Sequence, residues 1–282
     1  MTDSATVTRF APSPTGNLHK GHAFAAFQAF HFARETEGRF LLRIEDIDFN
    51  RCDPEHTQQI LDDLRWLGLD WEEPVRIQSE HLEDYQRAAE SLRQQGLLYP
   101  CFCTRKEILR EIENAGGAPH GSEGPVYPGT CRNLSEEERT EKMTAGADFA
   151  LRLDLATALD RIGDLPPWFD TEKGEQTTRP ELLGDAVIVR KDIGTSYHLA
   201  VVHDDGLQGI TDIVRGDDLF EATHLHVVLQ QLLGLPTPRY HHHALLTDRD
   251  GERLAKRNQS ITLKSLREQG VTPEDLKKEW PG

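Results

Sequence analysis

Short apolar runs alternate with amphipathic stretches in the first part of the chain. Residues 7–11 and 40–44 are segments of strand length, the second mostly apolar, and residues 22–37 between them carry apolar side chains at helical spacing. Residues 55–67 and 81–95 repeat the helical spacing. The order strand, loop, helix, strand is typical of a parallel α/β sheet, which binds nucleotides at the carboxyl ends of its strands.

Strand-like patterns dominate the second part of the chain. A Gly- and Pro-rich segment, residues 115–129, interrupts the helical spacing, and a further helix is predicted over residues 220–233. The predicted strands of this part cover residues 149–153, 186–190, 197–202, 210–214 and 243–246.

Together these patterns predict an α/β fold, with a Rossmann-like parallel-sheet domain that is split by an inserted subdomain. We expect the two halves of the domain at residues 1–98 and 191–260, and the insert at residues 99–190. Residues 261–282 are expected to form a short helical segment.

The charge of the chain narrows the classes of function. The 282 residues include 32 Lys and Arg against 48 Asp and Glu, a formal net charge of −16. This balance argues against generic nucleic-acid binding, because clustered Lys and Arg contact phosphates, but it leaves room for a local basic groove. No apolar stretch approaches the ~20 residues that cross a bilayer, and no leader opens the chain, so we expect a cytoplasmic protein without membrane contact.

Three of the four cysteines fall within one segment. Cys101 and Cys103 lie two residues apart, Cys131 follows the Gly-rich stretch, and Cys52 lies outside this group. Three thiolates and one further ligand would complete a tetrahedral structural zinc site, for which composition nominates His120 as the fourth ligand. The alternative is three buried free thiols.

The turn between the first strand and the first helix carries candidate phosphate chemistry. Residues 12–22 include His19, Lys20, Gly21 and His22. Glycines let a backbone approach a phosphate, a helix N-terminus supplies free N–H groups, and histidines can donate hydrogen bonds to a phosphate whose charge grows during displacement. The alternative interpretation is a turn followed by a helix cap.

A second loop near the end of the chain is locally basic. Residues 248–268 hold six basic and four acidic side chains, a net of +2, and include Lys256. Such a loop could clamp an anion, although alone it would be interpreted as a solvated surface loop.

Carboxylates follow the second predicted strand. Glu45, Asp46 and Asp48 lie at its carboxyl end, where a carboxylate can hold a substrate ammonium group. For Asp46 and Asp48 we prefer the interpretation as an acidic loop before a helix.

Two motifs in the expected order carry a resemblance to a known family. Residues 9–16 joined to 18–22 resemble the "HIGH" region of class I aminoacyl-tRNA synthetases, in the glutamate-handling branch, and residues 253–257 resemble the "KMSKS" loop. The resemblance implies that His19, Gly21, His22 and Lys256 bind ATP with Mg²⁺, with His19, His22 and Lys256 catalytic. Lys20 departs from the family pattern, which has an apolar or small residue there.

The same resemblance implies an amino-acid site for L-glutamate. An acidic amino acid needs cationic or donor groups for two carboxylates and an anion for its ammonium, and the planar fork of arginine suits a carboxylate. We therefore expect a strong preference for glutamate over glutamine, with the choice of arginine for the side-chain carboxylate left open. The implied glutamate-binding residues are Arg9, Phe10, Ala11, Pro12, Ser13, Glu45, Tyr197 and Arg215.

The cysteine segment points to one branch of this family. Cys-x-Cys followed by Tyr-x3-Cys resembles the glutamyl-Q tRNA(Asp) synthetase family, which implies Tyr127 as the fourth zinc ligand beside Cys101, Cys103 and Cys131. Only 26 residues follow Lys256, so we expect no anticodon-binding domain.

The resemblance implies an enzyme that activates glutamate with ATP and transfers it to the queuosine base of tRNA(Asp), and we expect it to be a monomer. Three alternatives stay open: a truncated glutamyl-tRNA synthetase that charges a tRNA 3′ end, a catalytically silent paralogue that binds tRNA, and a non-tRNA adenylyltransferase.

Overall fold

The first part of the chain builds three parallel strands covered by helices. The computed structural model describes residues 5–114, 120–121, 124–246 and 261–280. The opening elements are β1 (Val7–Phe10), α1 (Lys20–Glu35), β2 (Arg39–Ile44), α2 (Pro54–Trp66), β3 (Glu72–Ile77) and α3 (Leu82–Gln94).

The middle of the chain contains short strands and short helices. Its elements are β4 (Leu98–Cys101), α4 (Arg105–Asn114), β5 (His120–Gly121), β6 (Gly124–Pro125), α5 (Glu136–Thr144), β7 (Ala150–Leu153), α6 (Leu155–Ile162), β8 (Trp168–Asp170), β9 (Gly174–Gln176) and β10 (Val187–Val189). Strands β10, β7 and β4 form a separate antiparallel sheet in that order.

The last part of the chain returns to the parallel arrangement. Its elements are α7 (Tyr197–Leu207), β11 (Asp212–Gly216), α8 (Ala222–Leu233), β12 (Arg239–His243), α9 (Leu263–Glu268) and α10 (Pro273–Lys278). Strands β11, β12 and β8 run parallel, and β9 pairs antiparallel with β8.

The two groups of parallel strands meet at β1 and β11. The backbone N–H of Thr211 donates to the carbonyl of Val7 at 3.0 Å, and the Val7 N–H donates to the Thr211 hydroxyl at 2.8 Å. β1 runs parallel to β2, and β11 runs parallel to β12. The residues that follow the carboxyl ends of β1, β2 and β11 come together at one cleft.

Local signals in the sequence explain where the helices begin. Asp53 caps α2 by accepting a hydrogen bond from the Glu55 N–H, and Pro54 occupies the first helical position, where its missing N–H costs nothing. Ser196 caps α7 by accepting from the Leu199 N–H. The apolar faces of α1 and α2 pack on β2, whose Leu42 and Ile44 are fully buried.

Two sequence predictions in the last part of the chain are wrong. Residues 197–202 belong to helix α7 and not to a strand; the apolar side chains at 199–202 are buried all round, so they lack the one-sided periodicity of a surface helix. The strand predicted at 243–246 is β12, which ends at His243 and consists largely of histidines that tertiary contacts bury.

The predicted division of the chain into domains stays a prediction, with one refinement. β8 lies inside the residues assigned to the insert, yet Asp170 of β8 pairs with Tyr240 of β12 in the parallel sheet. In the part of the chain that the structure describes, no helix has both the length and the apolar character needed to cross a membrane.

We expect Leu42→Ala to lower the free energy of unfolding by about 2–5 kcal/mol, because it leaves a cavity in the centre of the sheet. Leu207→Ala is the matched control: this side chain is 58 % exposed, whereas Leu42 has no exposed surface. The control should change stability by less than about 0.5 kcal/mol in urea unfolding. Equal losses in the two variants would contradict this description of the core.

Candidate active site

A cleft of about 840 Å³ opens at the carboxyl edge of β1, β2 and β11. It collects residues that lie far apart in the sequence, including most of the predicted site. The predicted residues that line it are Phe10, Ala11, Pro12, Ser13, His19, Gly21, His22, Glu45 and Tyr197.

The two motif histidines cap helix α1. Nδ1 of His19 accepts a hydrogen bond from the Gly21 N–H at 3.1 Å, and Nδ1 of His22 accepts from the His19 N–H at 3.3 Å. The ring centroids lie 3.8 Å apart. Since both Nδ1 atoms accept, each neutral ring carries its proton on Nε2. The capping role and the phosphate-binding role are therefore compatible.

Residues on either side of the predicted lysine loop lie at or near this cleft. Leu245 and Leu246 line the cleft, and Thr262 forms a β-bridge with His19. The Leu263 N–H donates to the Leu18 carbonyl at 2.8 Å. Lys256 itself lies outside the described residues.

Lys20, which departs from the family pattern, does not line the cleft. Its ammonium pairs with Glu279, which follows helix α10. The positive charge of Lys20 is therefore paired with a carboxylate near the end of the chain.

Tyr197 lies close to three other residues of the predicted amino-acid site. It occupies the first turn of α7 behind the Ser196 cap, and burial raises the pKa of its hydroxyl to about 12. The charges of Arg215 and Arg9 lower this pKa and that of Glu45 raises it, so all three groups lie close enough to act on the Tyr197 hydroxyl.

A buried ionic network includes Glu45, and its central residue, Arg43, was missed by the sequence analysis. Arg43 has no exposed surface. Its guanidinium donates to Glu45 at 3.2 Å, to Asp205 at 2.8 Å and to Gln208 at 2.9 Å. Asp205 also accepts two hydrogen bonds from Arg9, at 3.0 and 3.3 Å.

The network shifts the pKa values of two of its carboxylates in opposite directions. Burial would raise the pKa of Asp205, but attraction from Arg9 and Arg43 outweighs burial and lowers it. For Glu45, burial outweighs the attraction of Arg43 and Arg9, and the pKa is raised. Glu45 therefore gains most from a further cation, such as an ammonium group in the cleft.

The adjacent Asp204 extends the network to β3 and α3. It accepts from Arg76 at 2.8 Å, from the Tyr85 hydroxyl at 2.8 Å and from Gln78 at 3.0 Å. These contacts fasten α7 to the first part of the chain.

Arg215 is buried in a different environment. Its guanidinium donates to Nε2 of His242 at 3.1 Å, to the Leu219 carbonyl at 3.1 Å and to the Thr223 hydroxyl at 2.6 Å. A further contact of 3.3 Å joins it to Nδ1 of His226. Neither Arg9 nor Arg215 is among the residues that line the cleft, but Phe10 and Gly216, which directly follow them in the sequence, line it.

The other acidic residues after β2 are occupied by the protein. Asp46 accepts from the backbone and hydroxyl of Ser79 at 2.8 and 2.6 Å, and Asp48 pairs with Arg190 at 3.1 Å. Asp48 also lines the cleft, so the preference for a structural role stays a prediction for this residue.

The three grouped cysteines come together as the sequence suggested. Their sulfur atoms lie within 4.8 Å of one another, and those of Cys103 and Cys131 are 3.4 Å apart. The Tyr127 hydroxyl lies 3.4 Å from Cys101 Sγ and 3.6 Å from Cys103 Sγ. The side chain of His120 lies outside the described residues.

These distances can be compared with a zinc site. Tetrahedral zinc with ordinary bond lengths separates two thiolates by about 3.8 Å, and a thiolate from an oxygen by about 3.5 Å. The cluster is close to this geometry, so the four side chains fit a tetrahedral ion.

Comparison with known proteins agrees with this geometry. Residues 5–279 match the family described as tRNA synthetases class I (E and Q), catalytic domain. A glutamate tRNA ligase structure from Elizabethkingia meningosepticum superimposes with a TM-score of 0.77 at 27% identity, over 96% of this chain and 59% of that chain. The chain thus spans about three fifths of that ligase. The fold and the cleft are those of a class I tRNA synthetase catalytic domain.

Relatives of similar length narrow the family. A glutamyl-Q tRNA(Asp) synthetase of Rhodobacter capsulatus is 49% identical over 277 residues, which cover 96% of this chain and 98% of the relative. One from Symbiobacterium thermophilum is 43% identical over 95% of this chain and 83% of its own length. The chain belongs to the glutamyl-Q tRNA(Asp) synthetase family, and it is a ligase.

We expect Arg43→Met to lower the free energy of unfolding by about 3–5 kcal/mol, because it leaves buried carboxylates without their cation. Arg34→Met is the matched control, since Arg34 pairs with Asp70 at the surface with both side chains more than half exposed. The control should cost less than about 1 kcal/mol in urea unfolding. An Arg43 variant no less stable than the control would contradict the role given to the network.

Proposed function

We propose that this enzyme activates L-glutamate with ATP and transfers the glutamyl group to the queuosine base of tRNA(Asp). The observation that carries the proposal is a cleft lined by Glu45, Tyr197 and the capped start of α1, in which the lining residues Phe10 and Gly216 directly follow the buried Arg9 and Arg215. That arrangement offers two cations, one anion and a hydroxyl beside an anion-binding helix end.

In the proposed complex, the amino acid binds through its charges. Glu45 holds the ammonium group, because its buried carboxylate has its contacts from Arg43 on one oxygen, Oε1. Tyr197 donates its hydroxyl to a carboxylate, since its raised pKa keeps it protonated at neutral pH. Phe10, Ala11, Pro12 and Ser13 form the adjacent cleft wall.

Activation then joins the α-carboxylate of glutamate to the α-phosphate of ATP and releases pyrophosphate. The Nε2–H groups of His19 and His22, with the free N–H groups of α1, stabilise charge that grows on the phosphates, and Gly21 lets the backbone approach them. Lys256 is proposed, from its place in the sequence, to hold the leaving pyrophosphate. Mg²⁺ bound to ATP would neutralise phosphate charge.

Transfer requires that the tRNA base reach the mixed anhydride. A hydroxyl of the queuosine cyclopentenediol attacks the glutamyl carbonyl, and AMP leaves. A second groove of about 440 Å³ shares Arg190 and Tyr197 with the cleft and is also lined by Arg105 and Arg152. In a chain of charge −16, this local group of arginines suits a polyanion that binds transiently.

The cysteine cluster is proposed to hold one structural Zn²⁺ through Cys101, Cys103, Cys131 and Tyr127. Support comes from the clustering of the three thiols and from the Tyr127 hydroxyl, which lies 3.4 Å from Cys101 Sγ and 3.6 Å from Cys103 Sγ. The ion would fix the loop after β4, next to the second groove.

The proposal also covers the location and the oligomeric state of the enzyme. We place the enzyme in the cytoplasm, where its tRNA substrate is found, and treat it as a monomer. Among the alternatives, a silent paralogue is disfavoured because the charged residues of the amino-acid site are all present, and charging of a 3′ end is disfavoured by the names of the relatives of similar length.

Glutamate-dependent exchange of pyrophosphate with ATP, measured without tRNA, tests activation. The wild-type enzyme should support exchange, and His22→Ala and Lys256→Ala should each lower it by about 100-fold or more, because charge on the phosphates loses a donor. Lys278→Ala, which removes an exposed lysine paired with Asp275, should leave the rate unchanged. No exchange by the pure wild-type enzyme would contradict the proposal.

Elemental analysis of the purified protein tests the metal. We expect about one zinc per chain, with little in Cys103→Ser and less than the wild-type content in Tyr127→Phe, because each removes a ligand. Cys52→Ser is the matched control and should keep the full content, since Cys52 lies outside the cluster. Full zinc in Tyr127→Phe would exclude the phenol as a ligand, and no zinc in the wild type would exclude the site.

A further inference from the structure

The second groove combines arginines with an apolar and aromatic lining. Among the described residues, it shares only Arg190 and Tyr197 with the cleft, so these two mark the junction of the cavities. Apolar side chains form much of the remaining wall, among them Ile108, Leu109, Leu182, Leu183 and Val187. Such a lining suits flat rings that are joined by phosphates, which is the chemistry of unpaired nucleotides in an RNA loop.

Arg152 and Tyr127 form a cation–π pair in this groove. Cζ of Arg152 lies 3.8 Å from the centroid of the Tyr127 ring, and both residues line the groove. The Tyr127 hydroxyl accepts a hydrogen bond from the Cys131 N–H at 2.9 Å, which holds the orientation of the ring. The ring is buried, with 8 % of Tyr127 exposed, so it supports the guanidinium from the protein side.

The charge of Arg152 is not balanced by a carboxylate in the described part of the chain. Its Nη1 donates to the backbone carbonyl of Asp185 at 2.7 Å, which is a neutral acceptor. The carboxylate of Asp185 instead pairs with Arg132 at 3.1 Å and accepts from the Tyr99 hydroxyl at 2.5 Å. Arg152 is therefore held in place by the protein while its positive charge stays uncompensated.

The arginine at the junction of the cavities has a different environment. Arg190 pairs with Asp48 at 3.1 Å and with Asp192 at 2.5 Å, so two carboxylates of the protein already balance its charge. Of these two lining arginines, Arg152 is the one whose partners leave a full positive charge for a ligand.

We propose that the guanidinium of Arg152 is a stacking platform for the nucleobase that adjoins the glutamate-accepting nucleotide in the tRNA loop. Tyr127 covers one face of the guanidinium, and the nucleobase stacks on the other face, as unpaired bases of RNA do on arginine planes. The accepting base has to leave its neighbours to enter the cleft beside Tyr197, and Arg152 replaces the stacking partner that one neighbour then loses. This inference rests on the proposed function.

Substitutions that separate the plane of the guanidinium from its charge test the proposal. Arg152→Lys keeps the charge, and Arg152→Met removes both. Transfer of labelled glutamate to queuosine-containing tRNA(Asp) is compared with glutamate-dependent pyrophosphate exchange, each as kcat/KM, because exchange is measured without tRNA. We expect the ratio of transfer to exchange to fall about 10-fold or more in Arg152→Lys, and at least as far in Arg152→Met.

Arg161→Met is the matched control. Arg161 is exposed and donates to the Gln95 carbonyl at 3.0 Å, as Arg152 does to a carbonyl, but it does not line the groove. This variant should keep the wild-type ratio of transfer to exchange.

Removal of the nucleobase itself gives a second test that misfolding cannot imitate. Two forms of queuosine-containing tRNA(Asp) are prepared, each with an abasic nucleotide on one side of the queuosine. One of them should lower transfer by the wild-type enzyme about 10-fold and have little further effect on Arg152→Met, because the contact is already absent. Thermal melting identifies any variant that does not fold.

Two results would overturn the inference while wild-type exchange is intact. One is a wild-type ratio of transfer to exchange in Arg152→Lys, which would mean that the charge alone is used. The other is an equal effect of both abasic tRNAs on the wild-type enzyme and on folded Arg152→Met. Absence of exchange in the wild-type enzyme would instead overturn the proposed function.

Discussion

The fully buried guanidinium of Arg43 is the interaction on which the site depends. It lies on β2, whereas its partner Asp205 lies on α7 and its partner Gln208 directly follows α7, in the last part of the chain. Removing a guanidinium from water costs several kcal/mol, and here that cost is offset only because three carboxylates approach it. The network therefore forms only when both parts of the fold are in register, and it couples assembly of the domain to assembly of the cleft.

The same network divides the charges of the amino-acid site into two kinds. On the β2 side, Arg9 and Arg43 are balanced by carboxylates of the protein, and Glu45 lines the cleft as the anion that gains from a further cation. On the β12 side, Arg215 is surrounded by neutral acceptors. In the proposed complex, an amino acid with one ammonium and two carboxylates complements this unequal distribution better than one with a neutral amide does.

Local motifs made much of this site predictable. Residues 12–22 were identified because each residue type has a local reason to follow a strand and start a helix, and the cysteine spacing was enough to group three thiols. Arg43 was missed because two of its partners, Asp205 and Gln208, lie more than 160 residues away, although an arginine within an apolar strand was a usable signal. The sequence of residues 197–202 resembles that of a strand, because a helix that is buried all round has no polar face. The position of β12 is not predictable from local sequence, because the partners that bury its His242, Asp170 and Arg215, lie far away in the sequence.

The identity of the acceptor tests the central claim most directly. Labelled glutamate, ATP and the enzyme are incubated with tRNA(Asp) that contains queuosine and with the same tRNA lacking it, and the 3′-terminal adenosine is then removed. The account predicts that label is found on the queuosine-containing tRNA alone and remains after the terminal base has gone. Equal labelling of the tRNA that lacks queuosine, or loss of the label with the 3′ adenosine, would contradict it.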